Sequence, residues 1–206
     1  MEVALFWWLQ AQDFYKNLHR SASDFVPDAN KTRTQSKQPS WADIGCGIGL
    51  MSYFADTKGY QVHSFDYNKK MIYWAKVLHR KHPNLSFKQE DVMNLTQKYD
   101  VVSATSLLSV VENKEAVLAK LLTLLKDTNS RLILIEPTDK MCVENVWKMI
   151  RNLKDFMAFK LLLVWANARQ GKAIDIKLFD AIPNVTHHYF LNNMVRVTII
   201  CQPNTI

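Results

Sequence analysis

A chain of 206 residues with 48% apolar content holds enough hydrophobic surface for the core of one ordinary globular domain. Its net charge of +7 implies mild attraction to anionic partners, but the basic residues are spread along the chain and form no single block. Three cysteines, Cys46, Cys142 and Cys201, have neither paired nor metal-ligand spacing, which argues against a disulfide scaffold or a zinc site and for a reducing compartment.

Residues 3–18 have the spacing of an amphipathic helix, with Leu5, Trp8, Leu9, Gln12, Phe14 and Tyr15 crowding one broad side. A polar, basic run over 28–38 follows, closed by Pro39 and lacking any apolar period, and reads as a linker. Residues 1–38 are thus expected to be a tethered helix able to act as a lid, and residues 39–206 the main domain. From Pro39 strand and helix alternate: strands at 40–44, 60–65, 85–88, 99–104 and 131–135, and helices at 50–58, 69–82 and 114–126. Gly59 and Pro83 are natural stops for the first two of these helices. A helical stretch over 143–169 is expected to break near 156–160. Two β-rich runs, 187–191 and 195–202, flank Asn192-Asn193 as a hairpin would. The expected fold is therefore α/β, a doubly wound and mostly parallel seven-stranded sheet with helices on both faces and a C-terminal hairpin. Residues 156–166 are apolar but contain Lys160 and are too short to span a bilayer, and Glu2 stands where a secretory signal would be basic. A cytoplasmic location without a membrane span is expected.

The stretch with the most chemical content is Asp43-Ile44-Gly45-Cys46-Gly47-Ile48-Gly49. Glycines at alternate positions let the backbone turn tightly and let a ligand approach it, and the helix that follows offers free N–H groups. The third glycine comes one residue too early for a dinucleotide fingerprint. Asp66 closes the second strand about 20 residues further on, where a carboxylate can accept hydrogen bonds from a ribose diol.

The glycine stretch resembles motif I of class I S-adenosylmethionine (SAM)-dependent methyltransferases. Phe65-Asp66-Tyr67-Asn68-Lys69-Lys70-Met71 resembles that family's Asp-x-Ser-x-x-Met, with Asn68 in place of serine as a plausible helix cap. Glu90-Asp91-Val92 matches the family's adenine-binding turn, and Tyr99-Asp100 opens its fourth strand in the family's manner. The resemblance implies that the final strand inserts antiparallel, that SAM is the cofactor and that S-adenosylhomocysteine (SAH) is the product. It implies a cofactor site made of Asp43, Gly45, Cys46, Gly47, Gly49, Asp66, Tyr67, Met71, Asp91, Val92, Thr105 and Ser106, and it calls for no metal. Asp43 would support the loop and the cofactor's ammonium end, Met71 would lie near the adenine, and Thr105 and Ser106 near the methionine moiety. The chain lacks the Asn/Asp-Pro-Pro-Tyr motif of base-amino methyltransferases and the Pro-Cys nucleophile of cytosine C5 enzymes. The His pair of many small-molecule members is replaced by Ser109 and Val110.

An acceptor that must lose a proton needs a base. The candidates are Glu136, His187 with its neighbour His188, and Tyr15, whose ring also suits a place beside a sulfonium. Each has a structural alternative as a cap, a packing residue or a surface residue. Trp147, Phe156, Phe159 and Trp165 line either an apolar acceptor pocket or the core. The expected function is methyl transfer to a small-molecule acceptor. RNA or protein methylation, a non-methyl SAM reaction and a non-catalytic SAM-binding subunit are the alternatives.

Overall fold

The computed structural model describes residues 2–29, 38–149 and 155–201. Seven strands form one sheet: β1 (Ser40–Ile44), β2 (Gln61–Asp66), β3 (Leu85–Gln89), β4 (Val101–Thr105), β5 (Arg131–Pro137), β6 (Val185–Phe190) and β7 (Val195–Cys201). Their spatial order is β3-β2-β1-β4-β5-β7-β6, with the first five parallel and β7 antiparallel to both β5 and β6. This is the expected doubly wound, mostly parallel sheet with an antiparallel hairpin. The central strands read as unbroken apolar runs because helices cover both faces: Leu132, Ile133, Leu134 and Ile135 are all buried. One cluster, with Trp41, Ile133, Phe159 and Trp165, fills one face, and another, with Val102, Leu121, Leu132 and Leu134, fills the other.

The helices are α1 (Glu2–Ala11), α2 (Asp13–Ser23), α3 (Leu50–Thr57), α4 (Lys69–Leu78), α5 (Lys114–Thr123), α6 (Val143–Lys148) and α7 (Phe156–Arg169). Gly59 ends α3 at φ +87, its N–H donating to the Asp56 carbonyl while the Tyr60 N–H reaches the Ala55 carbonyl. Asn68 caps α4 by accepting from the Lys70 N–H at 2.9 Å. That helix stops at Leu78, a turn before Pro83, and α5 stops at Thr123 because the chain turns back to pair with Tyr99. The break in the 143–169 stretch falls before Phe156, where Asp155 caps α7 through the Met157 N–H.

The single N-terminal helix expected over 3–18 is two helices. Gln12 adopts an extended backbone (φ −75, ψ 140), and Asp13 opens a new first turn. Only α2 is clearly amphipathic, burying Tyr15, Leu18, His19 and Ala22 at helical spacing in the main core. On α1 Leu9 is buried while Trp7 and Trp8 are exposed. Of the expected linker, residues 30–37 lie outside the described residues. Just before them Ala29 donates to the Lys58 carbonyl, and just after them Gln38 donates to that of Gly59.

Candidate functional site

Strand order reverses between β1 and β4, and in open α/β sheets the crevice at that switch point, beyond the strands' carboxyl ends, is where ligands bind. A cavity of about 650 Å³ lies there. Its lining includes Asp43, Gly45, Cys46, Gly47, Asp66, Tyr67, Met71, Asp91, Val92, Thr105 and Ser106, so every cofactor-site residue read from the sequence except Gly49 meets in one space.

The glycine loop is built by its backbone. A Cβ on Gly47 (φ +55) meets only the Gln10 side chain of α1, at 3.7 Å, so the loop presents bare backbone there. Gly49 lies behind the loop, where a Cβ would sit 2.8 Å from the Phe87 ring. Asp66 ties the loop to β2: one carboxylate oxygen accepts from the Gly47 N–H at 2.8 Å, the other from the Asn68 N–H at 2.7 Å. Burial raises the Asp66 pKa, and those two N–H donors oppose the rise. Burial also pushes the Cys46 thiol up, with Asp43 and Asp66 adding to the effect, so Cys46 stays a thiol and is no nucleophile.

Under the loop Asp43 is buried and accepts from two hydroxyls, Ser52 at 2.7 Å and Ser103 at 2.9 Å. Ser64 in turn donates to Ser52, and the Trp41 indole N–H to Ser103, both at 2.8 Å. Burial lifts the Asp43 pKa to about 6 against the pull of those hydroxyls. On the far wall Asp91 caps a short 3-10 turn, Val92–Asn94, by accepting from the Met93 N–H at 2.8 Å. At the end of β4, Thr105 Oγ1 and Ser106 Oγ are buried without a hydrogen-bond partner among the described residues, and Ser106 holds a left-handed backbone (φ +52). A buried unpaired hydroxyl costs on the order of 1–3 kcal/mol, and two at one cavity floor fit a polar ligand that completes them.

The candidate bases separate. Glu136 is not in the cavity lining; its carboxylate accepts from the Leu108 and Ser109 N–H groups at 2.8 and 3.3 Å, which fixes the loop after β4. Burial raises its pKa to about 7, opposed first by the Leu108 N–H. His187 sits on the edge strand β6, bonded to Thr198 at 3.0 Å, and His188 stacks on Phe25; neither lines the cavity. Tyr15 does line it, packed edge-on against Trp165, but burial raises its pKa, so it is held as a phenol able to donate and not as a phenolate base.

Sequence reading missed His19 and Arg169. His19 lies one helical turn after Tyr15, lines the cavity and is buried. Its Nδ1 stands 2.9 Å from the Tyr15 carbonyl, which only accepts, so Nδ1 carries the proton and Nε2 keeps a lone pair. The signal was present as an i, i+4 pair on the apolar face of one helix. Arg169, in the last turn of α7, also lines the cavity, and its Nε is buried without a partner among the described residues. Of the other aromatics, Trp165 lines the cavity, while Trp147 and Phe159 pack against each other away from it.

A protein-family model described as a methyltransferase domain matches residues 10–193. The chain belongs to this methyltransferase family. The fold recurs in solved structures of low sequence identity. The plantazolicin methyltransferase BpumL in complex with SAH is 14% identical with a TM-score of 0.65, over 97% of this chain and 90% of that one. The CurJ carbon methyltransferase is 11% identical with a TM-score of 0.68, over 94% of this chain and 56% of that one. A putative SAM-dependent methyltransferase from Methanococcus maripaludis is 16% identical with a TM-score of 0.59, over 94% and 88%. No curated protein sequence matches the chain. Among the described residues of this methyltransferase, no helix is long and apolar enough to cross a membrane.

Burial lowers the His19 pKa to about 4 from its ordinary 6.5, a depressed value in the folded state. Above pH 6.5 the ring is neutral folded or unfolded and costs nothing. As pH falls from 6.5 toward 4 the unfolded chain takes up a proton that the folded one refuses, so stability is lost across that window, by about 3 kcal/mol in total. His19→Gln should remove this dependence. Urea unfolding at pH 7.5 and 4.5 should show the variant gaining on wild type at the lower pH; an unchanged difference means His19 is not buried as a neutral base.

Proposed function

We propose that this SAM-dependent methyltransferase acts on a small-molecule acceptor that enters the cavity beside Tyr15, His19 and Trp165. The observation that carries the reading is the convergence, in one cavity of about 650 Å³, of the glycine loop, Asp66 and Asp91 with the two unpaired hydroxyls and an aromatic wall. That volume is in the range of pockets for small ligands. SAM brings a methyl group already activated on a sulfonium, so the protein's task is alignment and exclusion of water.

In this reading the Gly45–Gly47 backbone and Asp43 hold the methionine end, Asp66 the ribose, and Asp91, Val92 and Met71 the adenine. Thr105 and Ser106 supply the donors missing at the floor. Phe6, Tyr15 and Trp165 keep the space apolar and dry. His19 Nε2, whose tautomer is fixed by the backbone, is placed to accept a hydrogen bond from an acceptor molecule and orient it; with its pKa lowered to about 4 it serves as a positioning group and not as the base. With α2 built into the core, the segment free to serve as a lid is narrowed to α1. Its Gln10 lies over Gly47, and its Phe6 lines the cavity.

SAH and SAM should bind and stabilise the fold by mass action, by about 2.7 kcal/mol at one hundred times Kd, which raises the melting temperature. Asp66→Ala should weaken that binding by roughly 1–3 kcal/mol, the loss expected for hydrogen bonds to a charged acceptor. If calorimetry finds affinity unchanged while stability falls, Asp66 only ties the loop to β2. Turnover of SAM with a panel of small acceptors, analysed by mass for methylated product, tests the reaction itself. Methylation confined to RNA or protein, or SAM fragments without methylated product, would sink the small-molecule reading.

A further inference from the structure

One face of the molecule is unusually apolar for something exposed. The outer side of α4 carries Tyr73, Trp74, Val77 and Leu78 in the open, while Met71, Ile72 and Ala75 point inward. The positions recur every three or four residues and so form one stripe, bordered by Lys70 and by Lys81 just beyond the helix. Beside it packs α1, on which Leu5, Trp7 and Trp8 are exposed. Trp7 is 50% exposed, Trp8 48% and Trp74 44%. Single exposed apolar residues need no explanation, but three tryptophans and a tyrosine on adjoining helices do.

The charge along α4 and its flanks has one sign. Between Asp66 and Glu90 the chain carries Lys69, Lys70, Lys76, Arg80, Lys81 and Lys88 and not one acidic residue. Lys88 pairs with Glu90 at 3.0 Å. No ion pair reaches the other five among the described residues, so their charge is free to face an anionic surface.

We propose that the face formed by α1 and α4 docks on an anionic lipid surface, with Trp7, Trp8, Tyr73 and Trp74 at the headgroup boundary and Lys69, Lys70, Lys76, Arg80 and Lys81 against lipid phosphates. Indole and phenol rings combine an apolar body with a polar tip and favour that boundary, and each nearby basic side chain adds attraction to an anionic leaflet. A single-stranded nucleic acid would be tracked by a charged groove with stacking platforms. This stripe is instead the outer surface of a helix, and its Val77 and Leu78 extend the exposed apolar area beyond the aromatic rings on which bases could stack. The cavity opens nearby, since Phe6 of α1 and Tyr67, 78% exposed just before α4, both line it. The docking does not depend on the nature of the acceptor.

Cosedimentation of the full chain with vesicles of phosphatidylcholine, alone or mixed with phosphatidylglycerol, tests this. Binding should be confined to the anionic vesicles and weaken with salt. It should fall roughly 100-fold in Lys70→Gln/Lys76→Gln/Arg80→Gln and roughly tenfold or more in Tyr73→Ser/Trp74→Ser. SAH binding and melting temperature should be unchanged in the charge variant, which keeps the test readable if the aromatic variant is less stable. The proposal is overturned by no binding to either vesicle, by equal binding to both, or by full retention in the charge variant. It is equally overturned if gel filtration shows a dimer that Tyr73→Ser/Trp74→Ser dissolves, or if salt-sensitive binding appears with a single-stranded oligonucleotide and not with vesicles.

Discussion

Gly49→Ala should destabilise the protein by roughly 2–6 kcal/mol, a large share of the 5–15 kcal/mol that holds a typical domain together. Two costs add. The residue sits at φ +90, where an L side chain is strained, and its new Cβ would meet the Phe87 ring at 2.8 Å and His79 Nε2 at 3.0 Å. Moving His79 aside also breaks its bond to the Ile48 carbonyl, at 3.0 Å, and so disturbs the glycine loop from behind. Gly171 is the control. It has φ +76 but nothing within 4 Å of an added Cβ, so Gly171→Ala should show backbone strain alone, about 1–2 kcal/mol. Urea titration of both variants separates strain from collision. Equal losses would show that Phe87 yields easily and that the loop is not pinned against β3.

Two truncations should differ in kind. Removing residues 1–11 takes away α1, among whose described side chains only Leu9 is deeply buried, so a folded protein should remain that still binds SAH. If α1 is the lid, its turnover should nevertheless be poor. Removing residues 1–23 also takes Tyr15, Leu18 and Ala22 out of the main core cluster. Large buried side chains are worth about 2–5 kcal/mol each, so this deletion approaches the whole stability and should leave no cooperative unfolding transition. Circular dichroism melts of the two proteins decide the matter. Two similar sharp melts would mean that α2 is dispensable to the core.

Much of this was legible in the sequence because backbone demands are written in residue type. Left-handed glycines at 45, 47 and 49, an aspartate closing β2 and unbroken apolar strands announce a parallel sheet with a ligand crevice. The break at Gln12 was not legible, because glutamine is no helix breaker and the aromatic residues on either side continue one period. The extra length of β5 was hidden by Pro137, which lacks an N–H yet is tolerated as the last residue of its strand, opposite Val195. Side-chain roles were the least legible. Glu136 at a strand end and His187 beside a turn have the chemistry of bases, but only three dimensions reveal that one carboxylate is taken up by backbone N–H groups and the other ring lies on a far edge. His19 carries the opposite lesson. Its spacing from Tyr15 marks it as sharing that residue's helix face, but its place beside the cavity comes from how α2 lies across the sheet.

The hydroxyl chain beneath the glycine loop has a direction. The Trp41 indole can only donate, so Ser103 must accept from it and point its own proton at Asp43. On the other arm Ser64 and Ser52 are both hydroxyls, and either can reverse. Neither arm is closed to a proton added to Asp43, because a serine oxygen has two lone pairs and Ser103 can accept from Asp43 as well as from Trp41. The indole N–H of Trp41 is the one member of the two side-chain arms that cannot reverse, so titration of Asp43 is answered by rotation of the three serine hydroxyls around a fixed donor.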